Sequence, residues 1–208
     1  MQIKPEELPA LGYELLDRLG HQDLVPFIRT WLGKRSRFTW FYYLANLAAA
    51  ALCAWLFFHD LRSPQWSFGD RFTHFAYGLA LCFGLLPIHE VLHALAYRLQ
   101  GARQTSFAAN LKRFYFMAIA DRFVANRKEF FIVALTPFVV ITAGLIVLLF
   151  FAGGSWQLTI AAMLLAHTGM CSGDFGLLSY FACHPDLDIV TWDDHANNSS
   201  YFYGKKSG

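Results

Sequence analysis

The chain has 208 residues, of which 56% are hydrophobic and only 15% are charged. This composition is too apolar for an ordinary soluble domain and is typical of a protein that crosses a membrane several times. The net charge of +2 excludes the strongly basic character of many nucleic-acid-binding proteins, so we expect no nucleic-acid partner.

Residues 1–38 precede the first long apolar run and are predicted to form a cytoplasmic or interfacial segment. Leu11, Leu15, Leu16 and Leu19 recur at helical spacing, which predicts a short helix that ends near Gly20. A second short apolar segment, residues 24–32, is interpreted as a packing helix.

Four apolar runs follow, each near or above the ~20 residues that a helix needs to cross the hydrocarbon core. We therefore predict an all-α polytopic membrane protein in which residues 39–182 form a domain of about four transmembrane helices. Residues 183–208 are predicted to be a polar, solvated C-terminal tail. The four runs are residues 39–58, 72–97, 129–151 and 157–182.

The connection between the second and third runs mixes aromatic and apolar residues without a clear helical period. Residues 104–120 are compatible with a small β segment, namely a strand pair, or with a re-entrant segment covered by protein. An interfacial loop anchored by its aromatic side chains explains the same pattern, so these alternatives stay open.

The four cysteines form no Cys-x-x-Cys pair, and most lie within or beside apolar runs. This distribution predicts small buried side chains instead of a disulfide framework. They are Cys53, Cys82, Cys171 and Cys183.

Lysine and arginine are distributed unevenly among the loops. They are frequent before the first run, between the second and third, and after the fourth, whereas the opposite loops contain only Arg62 and Arg71. The positive-inside rule then predicts that both termini are cytoplasmic in a multi-pass protein of the cell (inner) membrane.

The second apolar run contains the sequence His-Glu-Val-Leu-His, residues 89–93. An ionisable side chain inside the membrane costs free energy, so its presence there indicates a compensating charge or a function. On a helix, His89 and His93 lie one turn apart on one face and can bind one Zn²⁺, with Glu90 beside a coordinated water. A chance occurrence or a buried structural pair of histidines is the alternative, and the membrane setting weakens it.

A catalytic zinc usually takes a third protein ligand. Asp174 is the only carboxylate well inside the apolar runs besides Glu90, and it lies as far from the start of its run as His89 does from its own. We therefore predict Asp174 as the third ligand. His167 precedes it on about the same helical face and is a candidate catalytic or supporting residue, although a lone buried histidine is more often structural.

The motif on a membrane helix, followed by residues 134–141 (ALTPFVVI) and the Ser-Gly-Asp of residues 172–174, resembles the putative zincin peptidase family. That family is related to the site-2 protease class of intramembrane zinc metalloproteases. In that class the acid follows an Asn-Pro pair, which is missing here. The resemblance also implies that residues 104–120 hold substrate by strand addition.

These observations predict an integral-membrane zinc metalloprotease that cleaves a membrane protein or peptide within or near the lipid bilayer. Glu90 is expected to act as the general base on a zinc-activated water. The alternative is a catalytically inactive scaffold or pseudoprotease that binds transmembrane partners. A di-iron enzyme requires more histidine motifs than the sequence contains.

Overall fold

The computed structural model describes residues 3–59, 66–110 and 115–206. Three cations used in the topology prediction, Arg62, Lys112 and Arg113, lie outside these ranges, as does the middle of the segment 104–120. The described chain is mostly helical. Its α-helices are α1 (Leu24–Leu32), α2 (Arg37–His59), α3 (Phe68–Cys82), α4 (Leu86–Leu99), α5 (Arg127–Phe151), α6 (Trp156–Met170) and α7 (Ser172–Ala182).

Three helical stretches of the described chain are long and apolar enough to cross a membrane. They are α2, the stretch Phe68–Leu99 that joins α3 to α4 through a short 3₁₀ turn, and α5. The first three predicted spans are thereby confirmed as membrane-competent helices.

The fourth predicted span, residues 157–182, is wrong as one continuous helix. It is divided at Cys171 into α6 of 15 residues and α7 of 11 residues. The Cys171 amide donates to the carbonyls of His167 and Gly169 and closes α6. Glycine has a low helix propensity, so Gly169 and Gly173 on either side of the division favour an interruption there. Four crossings therefore remain a prediction.

The chain divides into two compact units, and the boundaries between them fall within α2, α4, α5 and α7. The first unit contains Met1–Thr39, Glu90–Thr136 and Gly173–Gly208. The second contains Trp40–His89 and Pro137–Ser172.

The first unit contains an antiparallel sheet with the strand order β1-β6-β5-β4. Its strands are β1 (Glu14–Gly20), β4 (Ala125–Asn126), β5 (Leu187–Asp194) and β6 (Ser199–Lys206). The helix predicted around Leu11 to Leu19 is therefore wrong. A few leucines at helical spacing are a weak local signal, and pairing with β6 satisfies the backbone of this segment instead.

The prediction of a solvated tail is likewise wrong for β5 and β6. Ile189 to Trp192 are buried in the middle of β5, while the strand's ends are partly exposed and polar. The acids that suggested solvation have partners: the Tyr13 hydroxyl donates to Asp188 over 2.6 Å. Burial, assisted by that carboxylate, raises the pKa of Tyr13 to about 12.

The segment between the second and third spans forms an antiparallel strand pair, which confirms one of the alternatives left open above. It consists of β2 (Ser106–Asn110) and β3 (Tyr115–Ile119), with Ser106 opposite Ile119. These strands belong to the first unit and form a two-stranded sheet of their own.

In the second unit, α3 packs closely against α6 at Gly78. A methyl group at Gly78 would lie 2.2 Å from the carbonyl oxygen of Thr159 and 2.5 Å from Cβ of Ala162. The Thr159 hydroxyl also lies 2.9 Å from Nδ1 of His74 and 3.1 Å from its carbonyl oxygen. His74 is thus a structural residue of this helix pair.

We expect Gly78→Ala to destabilise the protein by about 1–3 kcal/mol, because the added methyl group forces two helix backbones apart. Gly144→Ala is the matched control: Gly144 is a helical glycine whose added methyl would meet nothing within 4 Å. Unfolding in detergent should show a lower midpoint for the first variant only. Equal midpoints would contradict the close approach of α3 and α6.

Candidate metal centre

The His-Glu-Val-Leu-His sequence lies in α4, near the start of the helix. Pro87 occupies the first turn, where a missing amide hydrogen costs nothing. His89 and His93 are one turn apart, as predicted. The ligand atoms of His89, Glu90 and His93 all lie within 4.8 Å of one another, and all three residues are buried. This one helix therefore presents two imidazoles and a carboxylate at a common point.

His93 is oriented by a backbone carbonyl of α5. Its Nδ1 lies 3.0 Å from the carbonyl oxygen of Val133. A carbonyl oxygen only accepts, so Nδ1 must hold the proton and donate it. The other ring nitrogen, Nε2, is then the one available for a metal, which is the common arrangement of histidine ligands.

The carbonyl of Val133 is available because residue 137 is a proline. In a regular helix the amide hydrogen of residue 137 would donate to this carbonyl, four residues earlier. Pro137, inside α5, has no amide hydrogen. Pro137 therefore leaves the Val133 carbonyl able to accept the hydrogen bond that orients His93.

Asp174 contacts His93, as its predicted role requires. Its Oδ1 lies 3.1 Å from Nε2 of His93. A nitrogen lone pair and a carboxylate oxygen at this distance require a proton or a cation to bring them together. Two ligands bound to one tetrahedral zinc at ~2.0–2.1 Å lie roughly 3.3 Å apart, so the spacing fits two ligands of one ion.

The helix that carries Asp174 is held firmly within the first unit. Asp174 is in the first turn of α7, where the helix dipole favours a negative charge. Gly176 packs against α1, since a methyl group there would lie 2.8 Å from Ile28. Ser179 donates to the carbonyl of Trp31 over 2.9 Å. These contacts fix the position of the carboxylate.

The end of α7 is capped by Arg127, the first residue of α5. Its guanidinium donates to the carbonyl oxygens of Phe181, His184 and Leu187 over 2.7–2.8 Å. One helix, α5, therefore orients His93 through Val133 and holds the end of the helix that carries Asp174.

In the second unit, His167 lies beside His89 and near Cys171. The centroids of the two imidazole rings are 5.9 Å apart. The ligand atoms of His89, His167 and Cys171 all lie within 4.8 Å of one another, and the three residues are buried. Cys171, interpreted from the sequence only as a small buried residue, is thus a further candidate ligand. Its spacing of four from His167 is the signal that could have identified it.

Imidazole nitrogens with a carboxylate are the ligand set of many catalytic zinc sites, and within the first unit His93 and Asp174 provide one imidazole and the carboxylate. Glu90 adds a carboxylate beside the two histidines. The residues present therefore fit a zinc ion, and no second cofactor is needed to explain them.

Comparison with known proteins agrees with this interpretation. The model of a family described as "Putative zincin peptidase" matches residues 82–187, about half of the chain. The matched range contains both the histidine motif and Asp174. No curated protein and no solved structure matches the chain. The chain thus belongs to the putative zincin peptidase family, whose description names the zinc-dependent peptidase chemistry that the donor set suits.

Proposed function

We propose that this protein is an integral-membrane zinc metallopeptidase that cleaves peptide bonds within or near the bilayer, as the site-2 protease class does. The observation that carries the proposal is the 3.1 Å contact between His93 Nε2 and Asp174, next to Glu90 on a membrane-competent helix. A buried carboxylate and imidazole in such a helix are costly unless they serve a function.

In this proposal His89, His93 and Asp174 hold the ion. When bound, zinc would make a coordinated water more acidic and polarise the carbonyl of the scissile peptide bond. Val133 keeps the proton of His93 on Nδ1, so that Nε2 is the nitrogen directed at Asp174 and at the ion. His167 supports the motif through its ring contact with His89.

Glu90 is the general base of the proposal. It is not needed as a ligand, and its carboxylate lies within 4.8 Å of the ligand atoms of both neighbouring histidines. It would take a proton from the attacking water and deliver it to the leaving amine, which a carboxylate of suitable pKa can do. Burial in α4 keeps this carboxylate in place.

The strand pair β2–β3 is the proposed substrate-holding element. Its side chains include the exposed Phe107 and Phe116, and it has only two strands. An extended peptide could add to such an edge through backbone hydrogen bonds. We infer that the substrate is presented as an unwound, extended segment of a membrane protein or peptide.

A four-crossing topology is supported by the sheet of the first unit. β1, β4, β5 and β6 pair with one another, so all four must lie on the same side of the membrane. Two candidate spans separate β1 from β4, and one, α5, separates β4 from β5. The return crossing must then be made by α6 and α7 together. We propose that both termini are cytoplasmic and that the cell (inner) membrane is the location.

The first test is zinc content. Purified protein should contain about one tightly held Zn²⁺ per chain, and Asp174→Ala or His93→Ala should lower its occupancy sharply, because each removes a ligand. Leu177→Ala, in the same helix as Asp174 but not a proposed ligand, is the control for general damage to α7 and should keep its zinc. Full occupancy and unchanged affinity in Asp174→Ala would disprove the ligand assignment.

The second test separates an enzyme from an inactive scaffold. Glu90→Gln keeps the shape of the side chain but cannot act as a base, so zinc content should stay near wild type while turnover falls by at least ~10²–10⁴-fold. The loss should appear in kcat more than in KM, since proton transfer belongs to the transition state.

The assay is complementation of a deletion strain together with recovery of uncleaved protein bound to Glu90→Gln. Full complementation by Glu90→Gln beside failure of His89→Ala would show that the metal is structural. The scaffold would then be the better description.

The third test concerns topology. Single cysteines introduced between residues 60 and 70, in a cysteine-free background, should react with an impermeant thiol reagent in intact cells, because this loop is poor in cations. Cysteines introduced near Arg103 or Lys205 should react only after the cells are opened. The reverse pattern would invert the orientation and place the centre in the outer half of the membrane.

A further inference from the structure

In the second unit His89 also belongs to another group of ligand atoms, formed with His167 and Cys171. His167 and Cys171 are four residues apart, and the Cys171 amide donates to the carbonyl of His167 over 3.2 Å, so the two side chains lie on one helical turn. Sγ of Cys171 is 3.8 Å from Nδ1 of His167. With His89 they form a cluster of two imidazoles and one thiol within 4.8 Å.

The surroundings of this cluster suit a bound cation better than a solvated polar group. Cys171 is fully buried and His167 is 2% exposed. The ring of Phe138 lies 6.5 Å from that of His167. Two buried imidazoles and a buried thiol whose ligand atoms lie this close together can bind one cation in common.

We propose that His89, His167 and Cys171 form a second binding position for zinc or another soft divalent cation. Two imidazoles and a thiolate are a known ligand set for zinc, and the thiolate selects soft cations against Mg²⁺ and Ca²⁺. Binding converts the Cys171 thiol to a thiolate, and its proton leaves to the solvent.

This binding position is not part of the proposed peptidase centre, but the two have one residue in common. His89 belongs to both groups of ligand atoms, so an ion at the thiolate position occupies a histidine that the peptidase reaction needs. The thiolate group lacks His93 and Asp174, so an ion held there has only one of the three proposed catalytic ligands. An ion held by Cys171 is therefore in a resting position, and Cys171 acts as an internal inhibitor of the zinc site.

The test uses Co²⁺, because cobalt bound to a thiolate gives a charge-transfer absorption band in the near ultraviolet that nitrogen and oxygen ligands do not give. Metal-free, full-length protein is titrated with Co²⁺ under reducing conditions. The wild type should develop this band. Cys171→Ser should lose it entirely, and His167→Gln should weaken it or shift its midpoint to higher Co²⁺.

Cys53→Ser is the matched control. Cys53 is also buried in the second unit, where it packs with Leu158, Ala161 and Ala162 and not with the histidines. This variant should keep the band at wild-type intensity. A wild type without the band would overturn the proposal even if a variant failed to fold. A band that survives in Cys171→Ser or disappears in Cys53→Ser would overturn it as well.

A double variant, His93→Ala with Asp174→Ala, separates this position from the peptidase centre. It removes two proposed catalytic ligands but leaves His89, His167 and Cys171, so the band should still develop on titration, at higher Co²⁺ than in the wild type, although the tightly held zinc is lost. Loss of the band in a correctly folded double variant would show that the thiolate position does not exist independently. Failure of the peptidase proposal appears instead as activity retained in Glu90→Gln, which does not affect the cobalt spectrum.

Discussion

The geometry of the centre depends on the hydrogen bond from the His93 ring to the carbonyl oxygen of Val133. This bond fixes which ring nitrogen holds the proton and directs the other toward Asp174. It exists because Pro137 leaves the carbonyl without its usual helical donor. A proline is normally a cost inside a helix. Here the Val133 carbonyl accepts a hydrogen bond from His93 instead, which offsets part of that cost.

The same helix supports the opposite side of the centre. Arg127 starts α5, and its guanidinium caps the carbonyls at the end of the helix that carries Asp174. Hydrogen bonds that involve a charged group contribute ~1.5–3 kcal/mol each, so this cap holds α7 strongly. Residues 127 to 133 of α5 thus position both partners of the 3.1 Å contact. Neither Arg127 nor Val133 takes part in the proposed reaction, yet both determine where its groups lie.

The candidate residues could be selected from the sequence because charge inside a membrane is rare and costly. Few donors lie in the apolar runs, so His89, Glu90, His93 and Asp174 could be selected by elimination. The contact between Asp174 and His93 agrees with that selection. The Val133 carbonyl oxygen that orients His93 was not predictable, since every residue has a backbone carbonyl and none is marked in the sequence. Cys171 was missed for a related reason: a thiol in an apolar run has the sequence signal of a small hydrophobic residue.

The helical part of the fold was predictable from the length of the apolar runs, and the sheet was not. β1 and β6 are short, partly polar and far apart in sequence, and β1 becomes a strand because β6 provides its hydrogen bonds. A pairing between distant segments leaves no pattern in the local sequence. The leucines of β1 therefore suggested a helix, and the acids of β5 suggested a solvated tail. The last apolar run is divided at Cys171 because α6 ends there, between Gly169 and Gly173. A hydropathy profile does not detect such a helix end.

The pairing of β1 with β6 has a consequence for how the protein is made. During synthesis β1 emerges before α2 and β6 emerges after α7, so the two strands cannot pair until the helices between them have been made. Until then β1 presents an unpaired edge, which is the kind of surface that associates wrongly or is bound by chaperones. β5 must also wait for β6, and Arg127 for the end of α7. The contact between His93 and Asp174 likewise forms only after α5, α6 and the start of α7 have followed α4.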